Sequence, residues 1–202
     1  MNNPAAVYVL AYEVSSKALL DYYDELLPMI NTSPLKPIVE QSKLGAELAM
    51  VTKQTQESIK DGAEAPLFTL ADNRNKDVSL ASFRGKWVVL DFWGTWCGYC
   101  IKGIPEMKAA YEKHKDKCEF ISIDCNESRE KWLEGVEKYQ MPWGYLYNSD
   151  DVAPKKNVSA IYAIQGYPTK IIITPEGLIH KIFVGETQEF YEELDKVLKH
   201  TR

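Results

Sequence analysis

Disulfide-rich, nucleic-acid-binding and membrane-spanning proteins each carry a mark that this sequence lacks. Four cysteines in 202 residues are too few for a small domain held together by disulfides. With 24 basic and 29 acidic residues, a net charge of -5 and no long basic run, nucleic acid is not an expected partner. No stretch approaches the roughly 20 apolar residues of a membrane-spanning helix. What remains is a globular chain that is long enough to bury an ordinary core.

The beginning of the chain also lacks a secretory signal. The stretch MNNPAAVYVLAYE has no basic segment followed by a small-residue cleavage site, so an exported protein would have its signal outside this chain. Residues 1–62 have helical periodicity, most clearly in SSKALLDYYDELLPMI. We therefore expect an N-terminal helical segment over 1–62 and a separate domain over 63–202.

Beyond residue 62, short apolar runs alternate with helical patterns. The predicted strands are LFTL, VSLASF, WVVLDFW, CEFISID, TKIIIT and HKIFVG. The predicted helices are GYCIKGIPEMKAAYEKHK, SREKWLEGVEKY, VSAIYAI and TQEFYEELDKVLKH. Strands that alternate with helices predict an α/β fold with crossover units.

The stretch DFWGTWCGYC, residues 91–100, places two cysteines around a two-residue spacer directly after a strand. The other two, Cys118 and Cys125, bracket the predicted strand EFISID, which would span on the order of 20 Å. Ligands at opposite ends of a strand cannot share a tetrahedral metal, so no metal site is expected. An inert Cys97–Cys100 staple and a redox-active pair remain open from the spacing alone.

The position of the pair favours redox chemistry. Cys97 ends the strand region and the following residues begin a helix, whose free N–H groups and dipole favour a thiolate. Cys97 would then attack a disulfide and Cys100 would resolve the mixed disulfide. Asp91 lies in the otherwise apolar WVVLDFW, and burial would keep it partly protonated. We expect Asp91 to relay the proton, with structural pairing to a lysine as the alternative.

With these motifs and GYPTK in view, residues 63–202 resemble the thioredoxin superfamily, and within it the exported TlpA/ResA-like thiol:disulfide interchange proteins. The resemblance implies a thioredoxin fold with an extra N-terminal β-hairpin in APLFTLADNRNKDVSLASFRGKWVVLDFW. The N-terminal helices are similar to the tail of a larger upstream region. Pro105 matches the proline that kinks the active-site helix.

The resemblance also implies how substrate binds. The catalytic residues would be Cys97, Cys100 and Asp91, and the substrate-binding residues would be Trp96, Gly98, Tyr99, Tyr167 and Pro168. The Tyr167–Pro168 bond would be cis, and the Tyr167 backbone would pair with an extended substrate peptide.

The implied activity is thiol:disulfide exchange with protein disulfides through the C-G-Y-C dithiol, without a cofactor or metal. The resemblance favours a periplasmic or cell-envelope reductant that receives electrons from a membrane-embedded thiol donor. A Gly-Tyr spacer also occurs in disulfide isomerases, so an isomerase or oxidase stays open. A thiol peroxidase is less favoured because Gly94 stands where peroxiredoxins have threonine.

A different class is a non-catalytic binding module whose aromatic groove is lined by Trp93, Trp96, Tyr99, Trp143 and Tyr167. Cys118 is expected to be a small buried residue. Cys125 is expected to pack in the core, with a regulatory or second resolving role as the alternative. The three histidines, His114, His180 and His200, are expected to be exposed and without chemistry.

Overall fold

The computed structural model describes residues 57–149 and 156–199. The predicted N-terminal helices fall almost entirely before residue 57 and lie outside the described residues. The boundary near residue 62 therefore stays a prediction.

The described chain forms a mixed sheet covered by helices. Its strands are β1 Thr69–Asp72, β2 Asp77–Ser79, β3 Trp87–Trp93, β4 Cys118–Asp124, β5 Gly144–Tyr147, β6 Thr169–Ile173 and β7 Ile179–Val184. Its α-helices are α1 Gly98–His114, α2 Arg129–Tyr139, α3 Val158–Ile161 and α4 Gln188–Lys199. The seven strands have the order β2-β1-β5-β4-β3-β6-β7, which confirms the α/β thioredoxin fold with an added hairpin.

Strand β3 lies between β4 and β6 in this sheet, and the chain leads from its end directly to the two cysteines. It runs parallel to β4 and antiparallel to β6, so both of its edges are hydrogen-bonded. TKIIIT was predicted as a strand, and it forms β6, which pairs with β3. The crossovers β3-α1-β4 and β4-α2-β5 are parallel units, whereas β6–β7 and β1–β2 pair antiparallel.

Two segments differ from the sequence prediction. VSLASF was predicted as one strand, but β2 ends at Ser79 and the chain continues as a 3-10 helix over Leu80–Phe83. This turn buries Leu80 in the core. Strand β5 was not predicted, because four residues are too short to show a period. Its pairing with β1 and β4 forms it, which is a tertiary effect.

Alternating residues of the central strands build a core on each face of the sheet. Val89 and Trp93 face the cluster that contains Cys97, Cys100 and the apolar sides of α1, α2 and α4. Val88, Leu90 and Phe92 face the second cluster, which α3 and the N-terminal hairpin cover. Since side chains alternate along a strand, Asp91 projects to the same face as Val89 and Trp93. The first face is called the active-site face below.

His114 is buried, so the expectation that it is exposed was wrong. It ends α1 on the side that packs against α4, and its Nε2 lies 2.6 Å from Oδ1 of Asp195. Lys113 donates to the other oxygen of Asp195 at 2.5 Å. His180 is half-buried and lies 2.8 Å from Glu193 of α4. Both of these histidines therefore connect α4 to its neighbours, and His200 lies outside the described residues.

Asp195→Asn should lower the free energy of unfolding by about 1 kcal/mol at pH 7, because hydrogen bonds to charged partners weaken. Burial alone would raise the pKa of Asp195, but its hydrogen bonds with Lys113 and His114 hold that pKa below its usual value. A carboxylate with a lowered folded pKa stabilises the protein above its unfolded pKa and loses this contribution as the pH falls. Urea unfolding of both proteins should show the difference shrinking below about pH 4.

Glu112→Gln is the matched control, because it removes one carboxylate from an exposed pair with Lys115 on the same helix. Exposed pairs contribute little, so no measurable change is expected. An equal loss in the two variants would contradict the role given to Asp195.

Candidate active site

Cys97 and Cys100 lie at the junction between β3 and α1. Cys97 is the N-cap of α1, and its Sγ accepts a hydrogen bond from the Cys100 backbone N–H at 3.2 Å. The two residues form a disulfide. They are 5% and 6% exposed, so little of either sulfur reaches solvent. Because the free N–H groups of a helix lie at its first turn, the Cys97 sulfur occupies the positive end of the helix dipole.

The spacer and the residue before it form an exposed rim. Trp96 is 50% exposed and Tyr99 is 70% exposed, although large aromatic side chains are usually buried. The Trp96 indole Nε1 donates to the Cys125 carbonyl at 2.9 Å, and its ring meets the edge of Tyr167 with centroids 5.2 Å apart. Trp96 is therefore held in place while one side of it faces solvent.

Gly94 makes this position of Trp96 possible. A Cβ on residue 94 would overlap the Trp96 indole and come within 2.9 Å of the Cys125 carbonyl oxygen. A threonine hydroxyl, which peroxiredoxins have at this position, does not fit here without moving the indole.

The loop before β6 faces the same site. The Tyr167–Pro168 peptide bond is cis, as the resemblance implied. The loop is held by hydrogen bonds from Thr169 Oγ1 to the Gly166 carbonyl at 2.7 Å and from the Gly185 N–H to the Pro168 carbonyl at 2.7 Å. Burial raises the pKa of Tyr167 to about 12, so its hydroxyl stays protonated at neutral pH. The structure thus brings all the predicted substrate-binding residues to one edge of the sheet.

Asp91 lies in β3 on the active-site face and is buried. Its Oδ2 accepts a hydrogen bond from Ser122 at 3.2 Å, and Ser122 in turn accepts one from the Trp143 indole at 2.8 Å. Burial raises the pKa of Asp91, the Lys170 ammonium and the Ser122 hydroxyl lower it in part, and the Glu186 carboxylate raises it further. The carboxyl therefore favours a bound proton more than an exposed aspartate does.

Two further charged residues join Asp91, and the sequence analysis missed both. Lys170 of β6 is buried, with its Nζ 3.9 Å from Asp91 Oδ1 and 2.5 Å from Glu186 Oε2. Tyr191 of α4 donates to Glu186 Oε1 at 2.5 Å. Lys170 is a charged residue inside the apolar run TKIIIT, just as Asp91 is inside WVVLDFW, so the sequence did hold an indication of its buried position. Glu186 lies in a polar turn and gave no such signal.

Two aromatic residues expected to line an open groove are instead in the core. Trp93 and Trp143 are buried, and Trp143 stacks near Phe120 and Tyr111. Of the five aromatic residues expected in the groove, Trp96 and Tyr99 are exposed and Tyr167 is partly covered beside them. This exposed surface is smaller than the groove that the binding-module alternative requires.

The other cysteines occupy different surroundings. Burial raises the pKa of the Cys118 thiol to about 12, which leaves almost no thiolate at neutral pH. The Cys125 side chain belongs to the core on the opposite face of the sheet, and its Sγ lies 3.1 Å from the Ser159 hydroxyl. Packing is thus the observed role of both side chains.

An open groove of about 680 Å³ adjoins the rim between the end of β3 and α2. Thr95 forms part of its wall, and both its backbone N–H and its hydroxyl bond to the Glu127 carboxylate. The other lining residues are Trp96, Asn126, Ser128, Lys131, Glu134, Gly135, Lys138 and Tyr139.

Neither a metal cluster nor a membrane span is found in the described ranges 57–149 and 156–199. No three or more histidine, cysteine, aspartate or glutamate side chains there are grouped to hold a metal ion. None of the helices in those ranges combines the length and the apolar character that crossing a membrane requires.

Comparison with known proteins agrees with this geometry. The model of the AhpC/TSA family matches residues 62–182. The thiol-disulfide oxidoreductase ResA of Bacillus subtilis (strain 168) is 32% identical over 135 residues, which are 66% of this chain and 73% of ResA.

Two solved structures are similar in fold and sequence. The thioredoxin domain of a thiol-disulfide oxidoreductase from Bacteroides vulgatus is 29% identical with a TM-score of 0.63, over 70% of this chain and 99% of that one. A thiol:disulfide interchange protein from Bacteroides sp. is 28% identical with a TM-score of 0.63, over 72% of this chain and 94% of that one. The chain therefore belongs to the AhpC/TSA family and is a TlpA/ResA-like thiol-disulfide oxidoreductase of the thioredoxin superfamily.

Proposed function

We propose that the protein reduces disulfides of other proteins through the Cys97–Cys100 dithiol, with Cys97 as the nucleophile. The observation that carries this proposal is the position of the Cys97 sulfur at the N-cap of α1, where it accepts the Cys100 N–H. A sulfur that accepts a backbone N–H at the positive end of a helix is stabilised as a thiolate. Cys100 lies within the first turn and does not have this position.

The reaction proceeds in two exchanges. The Cys97 thiolate attacks one sulfur of the substrate disulfide, forms a mixed disulfide and releases the first substrate thiolate. Cys100 then loses its proton and attacks the Cys97 sulfur, which forms the Cys97–Cys100 disulfide and releases the second thiolate. Two electrons pass to the substrate, both substrate thiolates take up protons, and the disulfide form of the structure is the product state.

Asp91 is proposed to accept the proton that Cys100 gives up. It lies on the active-site face of β3, and burial raises its pKa, which makes it a better base than an exposed carboxylate. The hydrogen bond from the Ser122 hydroxyl holds the Asp91 carboxyl on this face. Pairing with Lys170 as a purely structural contact is the competing explanation, and the distance of 3.9 Å is long for such a pair.

The exposed rim is proposed to receive the substrate. Trp96 and Tyr99 present exposed aromatic rings beside the disulfide, and Gly98 between them adds no side chain. Tyr167 and Pro168 present backbone groups to an extended peptide, which would add to the edge of the site as a strand. Hydrogen bonds hold Trp96 and the loop around Pro168 without a substrate, so these parts would need little ordering on binding.

The cell envelope or periplasm is proposed as the location, with a membrane-embedded thiol protein as the electron donor. The resemblance to exported TlpA/ResA-like proteins supports both statements. A reductant in an oxidising compartment needs such a supply, because each turnover leaves the protein as the disulfide.

A thiol peroxidase is disfavoured by a specific observation. Peroxide chemistry of the peroxiredoxin kind needs a hydroxyl at position 94, and the Trp96 indole occupies the space that a side chain there would take. Isomerase or oxidase activity uses the same two cysteines and differs in reduction potential.

Cys100→Ser should accumulate a mixed disulfide with a model substrate such as insulin, because the second exchange is blocked. Cys97→Ser should form none, since the sulfur that remains lacks the N-cap position. Non-reducing electrophoresis and mass spectrometry check both results. Cys125→Ser is the control and should behave as the wild type. The opposite pattern, with trapping through Cys100, would reverse the assignment of the nucleophile.

Asp91→Asn should slow the second exchange about 100-fold at pH 7, because the amide cannot accept a proton. Single-turnover kinetics with a trapped mixed disulfide measure this step. The variant should be no less stable than the wild type at pH 7: a buried acid with a raised folded pKa destabilises the protein above its unfolded pKa, and the amide removes that cost. An unchanged rate would show that Asp91 has no part in proton transfer.

The reduction potential should lie near that of thioredoxin, about -270 mV, if the protein is a reductant. Equilibration in glutathione buffers followed by thiol trapping measures it, and Cys125→Ser should give the same value. A potential near about -120 mV, where DsbA lies, would make the protein an oxidase or isomerase instead. Failure to form the disulfide would leave only the binding module.

A further inference from the structure

A glycine interrupts the active-site helix where another residue would be more favourable. Gly103 lies inside α1, one turn after Cys100, although glycine is a poor helix former. A Cβ at this position would overlap the Glu186 carboxylate, with Oε1 at 2.9 Å and the two other carboxylate atoms nearer still. The missing side chain therefore leaves room for Glu186 to reach beneath α1.

Within this space, Glu186 is bound on two sides. Its Oε2 lies 2.5 Å from Lys170 Nζ, and its Oε1 accepts the Tyr191 hydroxyl at 2.5 Å. The Lys170 ammonium also lies over the Phe190 ring, 5.6 Å from its centroid. These contacts place Lys170 with Glu186, and its distance to Asp91 is the longer of the two, 3.9 Å.

We propose that Glu186 is a positioning residue of the redox site: it holds Lys170 away from a close pair with Asp91 and so keeps Asp91 able to exchange a proton with Cys100. This inference rests on the proposed role of Asp91 in the second exchange. Nothing in the exchange itself requires Glu186 to touch a substrate or a sulfur.

The groups that act on Asp91 are Lys170 of β6, Ser122 of β4 and Glu186 of the turn after β7, and Tyr191 of α4 lies beside them. Cys97 and Cys100 at the start of α1 belong to the core cluster on this face, and the buried Asp124 lies two residues beyond Ser122 on the same side of β4. Glu106 of α1 acts on Tyr191. Lys170 is the one cation in this set, and it lies near two carboxylates, those of Asp91 and Glu186.

The direction of the effect follows from this count of charges. Without the Glu186 charge, Lys170 is free to approach Asp91, and a closer ammonium favours the ionised carboxylate. The loss of the neighbouring negative charge acts in the same direction. Both changes make Asp91 a weaker base, so Cys100 would lose its proton more slowly at neutral pH.

The test is Glu186→Gln in the full chain, with two measurements. The first is the titration of the Asp91 carboxyl carbon in the oxidised protein by NMR, which needs no turnover. Its midpoint should move to lower pH by about one unit or more. The second is the pH dependence of the second exchange, whose Asp91-dependent limb should move in the same direction. In the Asp91→Asn background, Glu186→Gln should have no further effect on this rate.

Glu189→Gln is the matched control. It removes the same charge three residues further along the chain, where the carboxylate forms an exposed pair with Lys181. It should leave both the Asp91 titration and the pH profile unchanged. A shift as large as that of Glu186→Gln would show a general charge effect and overturn the positioning role.

Gly103→Ala provides a second variant that leaves every charge in place. The added methyl group would displace the Glu186 carboxylate from Lys170, while alanine favours the helix. The Asp91 midpoint should again fall. An unchanged midpoint in both variants overturns the proposal. A midpoint that moves while the rate profile does not would confirm the positioning of Asp91 and refute its role in proton transfer.

Discussion

One buried lysine, Lys170, pairs with two carboxylates beneath the active-site helix, the buried Asp91 and the partly buried Glu186, and much of the structure around the site follows from that shortage of positive charge. An isolated buried charge is costly, and a buried ion pair is favourable only when its geometry and hydrogen bonds are good. Glu186 has the close contact with Lys170, whereas Asp91 has a longer one and a single hydroxyl donor. The two acids therefore differ in their contacts, and burial raises the pKa of Asp91 on β3.

The cluster of Asp91, Lys170, Glu186 and Tyr191 explains several residues that are unusual for their positions. A glycine in the middle of α1 gives up helix propensity to make room for a carboxylate. A lysine interrupts the apolar strand β6, and a tyrosine on α4 directs its hydroxyl inward. These residues come from distant parts of the chain, so the cluster also ties α1, β6 and α4 together.

The sequence predicted the parts of the site that depend on local order. The central strands were predicted correctly because long apolar runs such as WVVLDFW have a strong pattern, and the Cys97 N-cap follows from a strand that leads directly into a helix. The parts that it did not predict depend on tertiary contacts. Strand β5 is defined only by its pairing with neighbouring strands, and nothing in the turn around Glu186 indicates a carboxylate that reaches beneath α1. His114 was assigned to solvent because the partner that buries it lies on α4.

The first turn of α1 places the two cysteines in different surroundings, and the proposed mechanism gives them different roles. Cys97 has the helix N-terminus, which favours a negative sulfur. Cys100 lies three residues before Gly103, the position against which the Glu186 carboxylate packs. In the proposed second exchange, Cys100 gives up a proton to a base. Asp91, the acid with the longer contact to Lys170, is the group proposed to accept that proton.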